Sequence, residues 1–258
     1  MVYKKDIAKV LTANNIITYM QSLHNEEQRR NLMRFFKTGK GDYGEGDEFI
    51  GLKVPQTREI VKLSKDLPLA EIPELLTNRF HEIRLCGFLL LVDKFEKQAT
   101  KRLTDDETAI GIRDEIVNMY LKYTNYANNW DLVDLSAPKI IGLWLTLPTH
   151  LGDKLTIVDS LAKSGNLWRE RTSMVCTWMT SRMGEPQWCL RYATMHLHHT
   201  HDLMHKAVGW MLRELGKQCS MDLLRDFLEK NIHQMARTTL RYAIEKMSAD
   251  ERKYWMKL

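Results

Sequence analysis

Cysteine is scarce in this chain, and the four present, Cys86, Cys176, Cys189 and Cys219, stand far apart within apolar runs. That spacing suggests neither a disulfide framework nor a zinc ribbon, so they read as reduced core residues. Proline is nearly as scarce, and Pro55, Pro73, Pro148 and Pro186 sit at or near expected helix starts, where a missing N–H does little harm. Long apolar runs are lacking: nowhere do about 18 apolar residues follow one another, and Lys4, Lys5, Asp6 and Lys9 interrupt the beginning of the chain. These absences predict a cytoplasmic protein, neither secreted nor membrane-spanning. A large charge excess is missing too. Lys plus Arg number 38 against 33 for Asp plus Glu, a net +5 with pI near 8.9, so any nucleic-acid surface must be local.

Period-two alternation is lacking throughout, whereas helical periodicity runs almost from end to end, which gives an all-α class. Helices are expected over 6–22, 25–37, 56–66, 69–78, 81–97, 106–122, 128–145, 149–163, 167–182, 186–198, 202–217, 220–230 and 236–246. Short polar joints between them suggest antiparallel helical hairpins stacked in series. EIRLCGFLLL (82–91), RERTSMVCTW (169–178), GWMLRELGKQ (209–218) and RTTLRYAIEK (237–246) each carry arginine near the start, and Arg171 lies 42 residues before Arg213. That interval suits a HEAT-like repeat, hence a solenoid. With 258 residues, 44% of them hydrophobic, and no low-complexity linker, residues 1–258 are expected to form one domain.

One helix places an aromatic on an unexpected side. At about 100° per residue, Lys206, Trp210, Arg213 and Lys217 share one stripe of KAVGWMLRELGK, opposite Val208, Met211, Leu212 and Leu215. A tryptophan among three cations suits a groove that receives an anionic partner carrying rings. Packing of Trp210 against a neighbouring helix is the alternative. A second segment, NNWDLVDLSAP (128–138), puts Trp130 and Asp134 four residues apart on one helix face, with Leu132 and Leu135 roughly opposite. Asp134 is either a functional carboxylate, a solvated acid or the partner of an arginine such as Arg171. Arg171 begins a stripe continued by Met174, Val175 and Trp178, where a cation needs a carboxylate or a phosphate.

Six segments in order, FFKTGKGDYGEGDEFIGLKVPQTRE (35–59), HEIRL (81–85), NWDLVDLSAP (129–138), LWRERT (167–172), KAVGWMLRE (206–214) and RTTLRYAIEK (237–246), resemble the AlkD family of DNA alkylation repair glycosylases over nearly the whole chain. The resemblance implies a superhelix of HEAT-like repeats whose concave face binds double-stranded DNA containing alkylated bases. It implies excision of cationic purines such as 3-methyladenine and 7-methylguanine. The enzyme is expected to be a monomer that needs no metal and no organic cofactor. Trp130 and Asp134 match the family's first aromatic and its catalytic aspartate, Arg171 its cleft arginine and Trp210 its second aromatic. The family pattern often has proline before the arginine of the last motif, where this chain has Ala236 before Arg237.

An alkylated purine is a good leaving group, so little acid catalysis is needed. As the glycosidic bond breaks, an oxocarbenium-like sugar develops that the Asp134 carboxylate would stabilise, with Trp130 and Trp210 flanking the nucleotide. Lys206, Arg213, Arg237 and Arg241 are candidate phosphate contacts, set against the reading of each as an ordinary exposed charge. The resemblance further implies action without base flipping, and no lysine stands out as a Schiff-base nucleophile, so a monofunctional enzyme is expected. The rival reading is a noncatalytic helical scaffold that binds DNA structures or a protein partner; an RNA-binding or RNA-modifying protein is a third.

Two weaker signals read as structure. The loop Thr38–Asp47 has four glycines but no GK[ST] ending, and Asp42, Glu45 and Asp47 would repel phosphate; EF-hand spacing is also absent. Tyr43 and Phe49 are placed near the groove mouth. The cluster His196, His198, His199, His201 and His205 lacks a compact ligand spacing and reads as an inter-helix turn.

Overall fold

The His81–Gln98 helix organises the first half of the protein, because it is buried almost all round over its first twelve residues and again at Phe95. A helix with no polar face must be enclosed. In the computed structural model, which describes residues 12–258, it packs against Val54–Leu63, Ile72–Leu76, Glu107–Tyr123 and Trp130–Ser136. Gly87 permits the approach to the short Ile72–Leu76 helix: a Cβ there would lie 3.1 Å from the Leu75 Cβ and 3.2 Å from the Leu76 backbone N. The far end of the His81 helix is held by Arg113, fully buried, whose guanidinium donates to the carbonyls of Gln98, Leu103 and Thr104 at 2.7 to 2.8 Å. Those carbonyls would otherwise be orphaned at and beyond a helix end.

The chain divides into two compact units, one ending at Ser136 and the other beginning at Ala137. In the second, the 17-residue Asp202–Gln218 helix is central and packs most closely on Arg237–Ala243. Gly209 sets that approach, since a Cβ there would sit 2.5 Å from the Tyr242 Cβ and closer still to the Thr239 carbonyl. Around it lie Leu167–Val175, Thr177–Arg182, Pro186–Met195 and Met221–Asn231. Asp159 ties Lys154–Ala162 to Pro186–Met195 through a two-pronged contact with Arg191 at 2.6 and 3.1 Å, and the guanidinium beside it holds its carboxyl down at about 2.

The class is all-α: among the described residues there is no strand, only an isolated bridge between Glu48 and Phe80. No described helix is long and apolar enough to cross a membrane. Helix starts follow local chemistry. Pro55, Pro73 and Pro186 occupy first-turn positions, and Asn25, Asp106, Asp153, Asn166 and Ser220 accept hydrogen bonds from first-turn N–H groups. The differences from the sequence reading are local. Pro148 lies in a connection, not at a helix start, and the helix expected from 149 begins at Lys154 because Asp153 caps it. The helix expected over 128–145 stops at Ser136; Pro138 begins a π turn through Gly142 that accompanies the break. Ala249–Lys257 is an additional helix. Residues 6–11 of the first expected helix lie outside the described part, which enters a helix at Ala13.

Candidate functional site

The short Trp130–Ser136 helix carries the first pair of candidate residues. Leu132, Val133 and Ser136 turn into the core, while Trp130 and Asp134, one turn apart, are half-buried on the remaining side. Asn129 starts the helix by accepting the Trp130 N–H on its Oδ1 at 2.9 Å.

Trp130 meets an aromatic cluster that sequence reasoning did not assign. Phe36 lies against it with ring centroids 5.3 Å apart, and Phe35, at the end of the Glu26–Phe35 helix, stands edge-on at 5.9 Å. Phe35 is 63% exposed, which is unusual for phenylalanine. Phe49 stacks on Phe36 at 5.3 Å and is buried, so it belongs to the core rather than to a groove mouth.

Below this cluster runs a buried polar network built from the HEIRL segment. His81 sits between two carboxylates, its Nδ1 2.8 Å from Asp47 Oδ2 and its Nε2 2.9 Å from Asp131 Oδ2. Arg84 donates to Asp47 Oδ1 at 2.5 Å, to Asn128 Oδ1 at 2.9 Å, and to the carbonyls of Asn78, Arg79 and Tyr126. Glu82 accepts the backbone N–H groups of Ile50, Gly51 and Leu52 at 2.8 to 3.1 Å. Gly51 makes that turn possible: its φ is +100°, and a Cβ would strike the Asn25 carbonyl. Burial alone would pull the His81 imidazolium down, yet Asp131 and Asp47 carry it up to about 9. Burial likewise works against Asp47, but His81 and Arg84 hold its carboxyl below the usual range.

This network explains the glycine-rich loop. Its acids serve the fold: Glu45 accepts the Gly41 N–H at 2.9 Å and Asp47 holds His81 and Arg84. Sequence could have signalled the network, because His81, Glu82 and Arg84 open a helix whose next eight residues, Leu85 to Val92, carry no polar side chain except the Cys86 thiol, and so had to be buried with partners.

In the second unit, the Asp202–Gln218 helix buries Met204, Val208, Met211, Leu212 and Leu215. Lys206, Trp210 and Arg213 are half-buried and Lys217 is exposed, so the cationic stripe is the less covered face. Lys206 pairs with Asp202 at 2.7 Å, and Arg213 is held by Glu214 at 3.1 Å and by Glu245. Arg171 is buried and donates to the Leu203 carbonyl at 2.6 Å, which fixes it against the start of the helix bearing Trp210. Arg237 is exposed and reaches the Met256 carbonyl; Arg241 is exposed one turn further on.

The histidine cluster spans the turn after Pro186–Met195 and the first turn of the Asp202–Gln218 helix, where His205 stands, and His196, His199, His201 and His205 bond within the fold. His196 Nε2 lies 2.9 Å from Ser173 Oγ, His199 Nε2 lies 2.9 Å from Glu170 Oε2, and His201 caps the Asp202 helix through the Leu203 N–H. Among the described residues, no group of three or more His, Cys, Asp or Glu side chains is placed to hold a metal ion.

Comparison with known proteins points one way. The family model described as DNA alkylation repair enzyme matches residues 16–247. A solved structure from Enterococcus faecalis, described as a predicted DNA alkylation repair enzyme, superposes with a TM-score of 0.66 at 18% identity, covering 88% of this chain and 97% of that one. That likeness is one of fold. No curated protein matches.

Proposed function

This chain belongs to the DNA alkylation repair enzyme family, and from that premise we propose that it is a monofunctional DNA glycosylase hydrolysing the N-glycosidic bond of cationic alkylated purines, 3-methyladenine and 7-methylguanine, in duplex DNA. The observation that carries the reading is the Trp130–Asp134 pair, half-buried on one helix face and backed by aromatic rings. A carboxylate beside an electron-rich ring is what a departing cationic base and a developing oxocarbenium ion require.

In this mechanism the C1′–N bond breaks with its electron pair going to the purine, whose positive charge is thereby neutralised. Asp134 stabilises the positive charge left on the deoxyribose, and water adds at C1′ and loses a proton, leaving an abasic site. Trp130 and Trp210 contribute about 0.5 to 2 kcal/mol per cation–π contact. Arg171 serves as the cleft arginine, and Lys206, Arg213, Arg237 and Arg241 as phosphate contacts that fix register without reading sequence. Within the same proposal the chain acts as one HEAT-like repair domain, a monomer in the cytoplasm, and excises without flipping the base.

The deciding experiment measures release of 7-methylguanine and 3-methyladenine from methylated duplex DNA by wild type and Asp134→Asn, with DNA binding assayed in parallel at fixed salt. Release that collapses in the variant while binding persists supports the mechanism. Tight binding with no release by wild type would favour a noncatalytic scaffold.

A further inference from the structure

The HEIRL network does more than bury charge, because two of its members touch the elements that carry Trp130. Asp131, which holds His81 Nε2, is the next residue after Trp130 in the short helix. Phe36 lies between the two rings, 4.9 Å from His81 and 5.3 Å from Trp130 by centroid. Phe49 stacks on the imidazole at 4.6 Å and on Phe36 at 5.3 Å.

Resting on the glycosylase reading above, we infer that His81 is a positioning residue for the reaction: as an imidazolium clamped between Asp47 and Asp131, it fixes the orientation of the Trp130–Ser136 helix and so of Trp130 and Asp134. The hydrogen-bond geometry requires the charged ring. Both ring nitrogens face carboxylate oxygens, which only accept, and a neutral imidazole has one N–H to give. The ion pairs agree: Asp47 and Asp131 face Arg84 and His81, and each of these two carboxylates meets a cation on every side where it is paired only when His81 is protonated.

The clamp is also the anchor of Asp131. Its Oδ1 is buried and has no hydrogen-bond partner among the described residues, so the His81 N–H on Oδ2 is what ties this carboxylate to the body of the unit. The Trp130–Ser136 helix is seven residues long, too short to hold its own course. Its axis is set by tertiary ties, and at its first turn these are the hydrogen bond of Asp131 to His81 and the packing of Trp130 on Phe36. A loosened tie would let Trp130 slide on Phe36 and swing Asp134 by a fraction of an ångström to an ångström. Misplacement on that scale is enough to cost about a hundredfold in rate.

The test uses the whole chain with His81→Gln and Asp131→Asn, 5-fluorotryptophan labelling with the Trp130 resonance assigned by its loss in Trp130→Phe, and steady-state release of 7-methylguanine. We expect His81→Gln to lower kcat by about tenfold or more with KM within about twofold of wild type, and the Trp130 fluorine line to shift or broaden. Wild-type kcat together with an unmoved Trp130 line in folded His81→Gln would overturn the inference. Should His81→Gln fail to fold, Asp131→Asn decides, since it keeps the His81 to Asp47 bond and loosens only the link to the helix. Should wild type release no base, the glycosylase reading fails, and the Trp130 line in the two variants alone decides the clamp.

Discussion

Phe35 stands edge-on to Trp130, their ring centroids 5.9 Å apart and their planes 70° from parallel, with most of the phenylalanine facing solvent. Aromatic pairs of this geometry contribute about 0.5 to 1.5 kcal/mol beyond area burial. Phe35→Ala should therefore lower kcat/KM for methylpurine release by a factor of about 2 to 10, through a less constrained Trp130. Because Phe35 is exposed, its thermal midpoint should remain close to wild type. A large fall in the melting midpoint would instead make Phe35 a core residue of the fold.

The Glu82 carboxylate receives three consecutive backbone N–H groups, those of Ile50, Gly51 and Leu52. Glu82→Gln turns an acceptor-only group into one with an NH2 aimed at donors. It should destabilise the protein on the order of 2 to 4 kcal/mol, read from the urea midpoint. An unchanged midpoint would mean that the 50–52 segment finds other acceptors.

Two buried histidines should shape the pH dependence of stability in opposite directions. His81 has a folded pKa raised from 6.5 to about 9, so its contribution is complete below about pH 6.5 and is lost as the pH rises through 9. His196 is buried against Ser173, and burial lowers it to about 4; its contribution is present above about pH 6.5 and is lost as the pH falls through 4. Denaturant titrations across pH should show His81→Gln flattening the alkaline limb and His196→Gln the acid limb. The reverse assignment of limbs would show that the two protonation states are exchanged.

Gly209 touches the backbone of the Arg237–Ala243 helix, so Gly209→Ala should push the two helices apart. The expected cost is about 1 to 3 kcal/mol, despite alanine's better helix propensity. Trp210 sits on the next residue, and its fluorescence in a background lacking the other tryptophans would report the displacement. A stabilised Gly209→Ala protein would contradict the packing.

Among the cations proposed to meet phosphate, Arg213 and Arg241 should behave differently. Arg213 is already held by Glu214 and Glu245, whereas Arg241 is exposed on the second helix of that contact. Arg241→Ala should reduce the slope of log K against log salt by about 0.9, the release expected for one lost phosphate contact, and Arg213→Ala should reduce it by less, since its charge is shared between phosphate and the two glutamates. Equal slopes for both variants and wild type would remove Arg241 from the interface.

Much of the candidate site was legible because it is local. The four-residue spacing put Trp130 and Asp134 on one face whatever the rest of the chain does, and the same rule marked Lys206, Trp210, Arg213 and Lys217 as a stripe. Pro186 and Pro55 marked helix starts by the same local logic, whereas Pro148 misled because its role depends on where Asp153 caps the next helix. Phe35 and Phe36 were not legible. Adjacent aromatics at a helix end carry no sign of which one is buried, and only the packing against His81 and Phe49 makes Phe36 core and leaves Phe35 outside.

The sequence by itself determined the helical class, the faces of the helices and the pairs that share them, since these follow from a period of about 3.6 residues and from local capping. Only the tertiary structure decided what becomes of the polar residues within apolar helices. His81, Glu82 and Arg84 are 32 to 50 residues from their partners Ile50, Asp47, Asn128 and Asp131. Hydrogen bonds across such separations depend on how whole helices pack, and it is burial that obliges each of these groups to find its partner there.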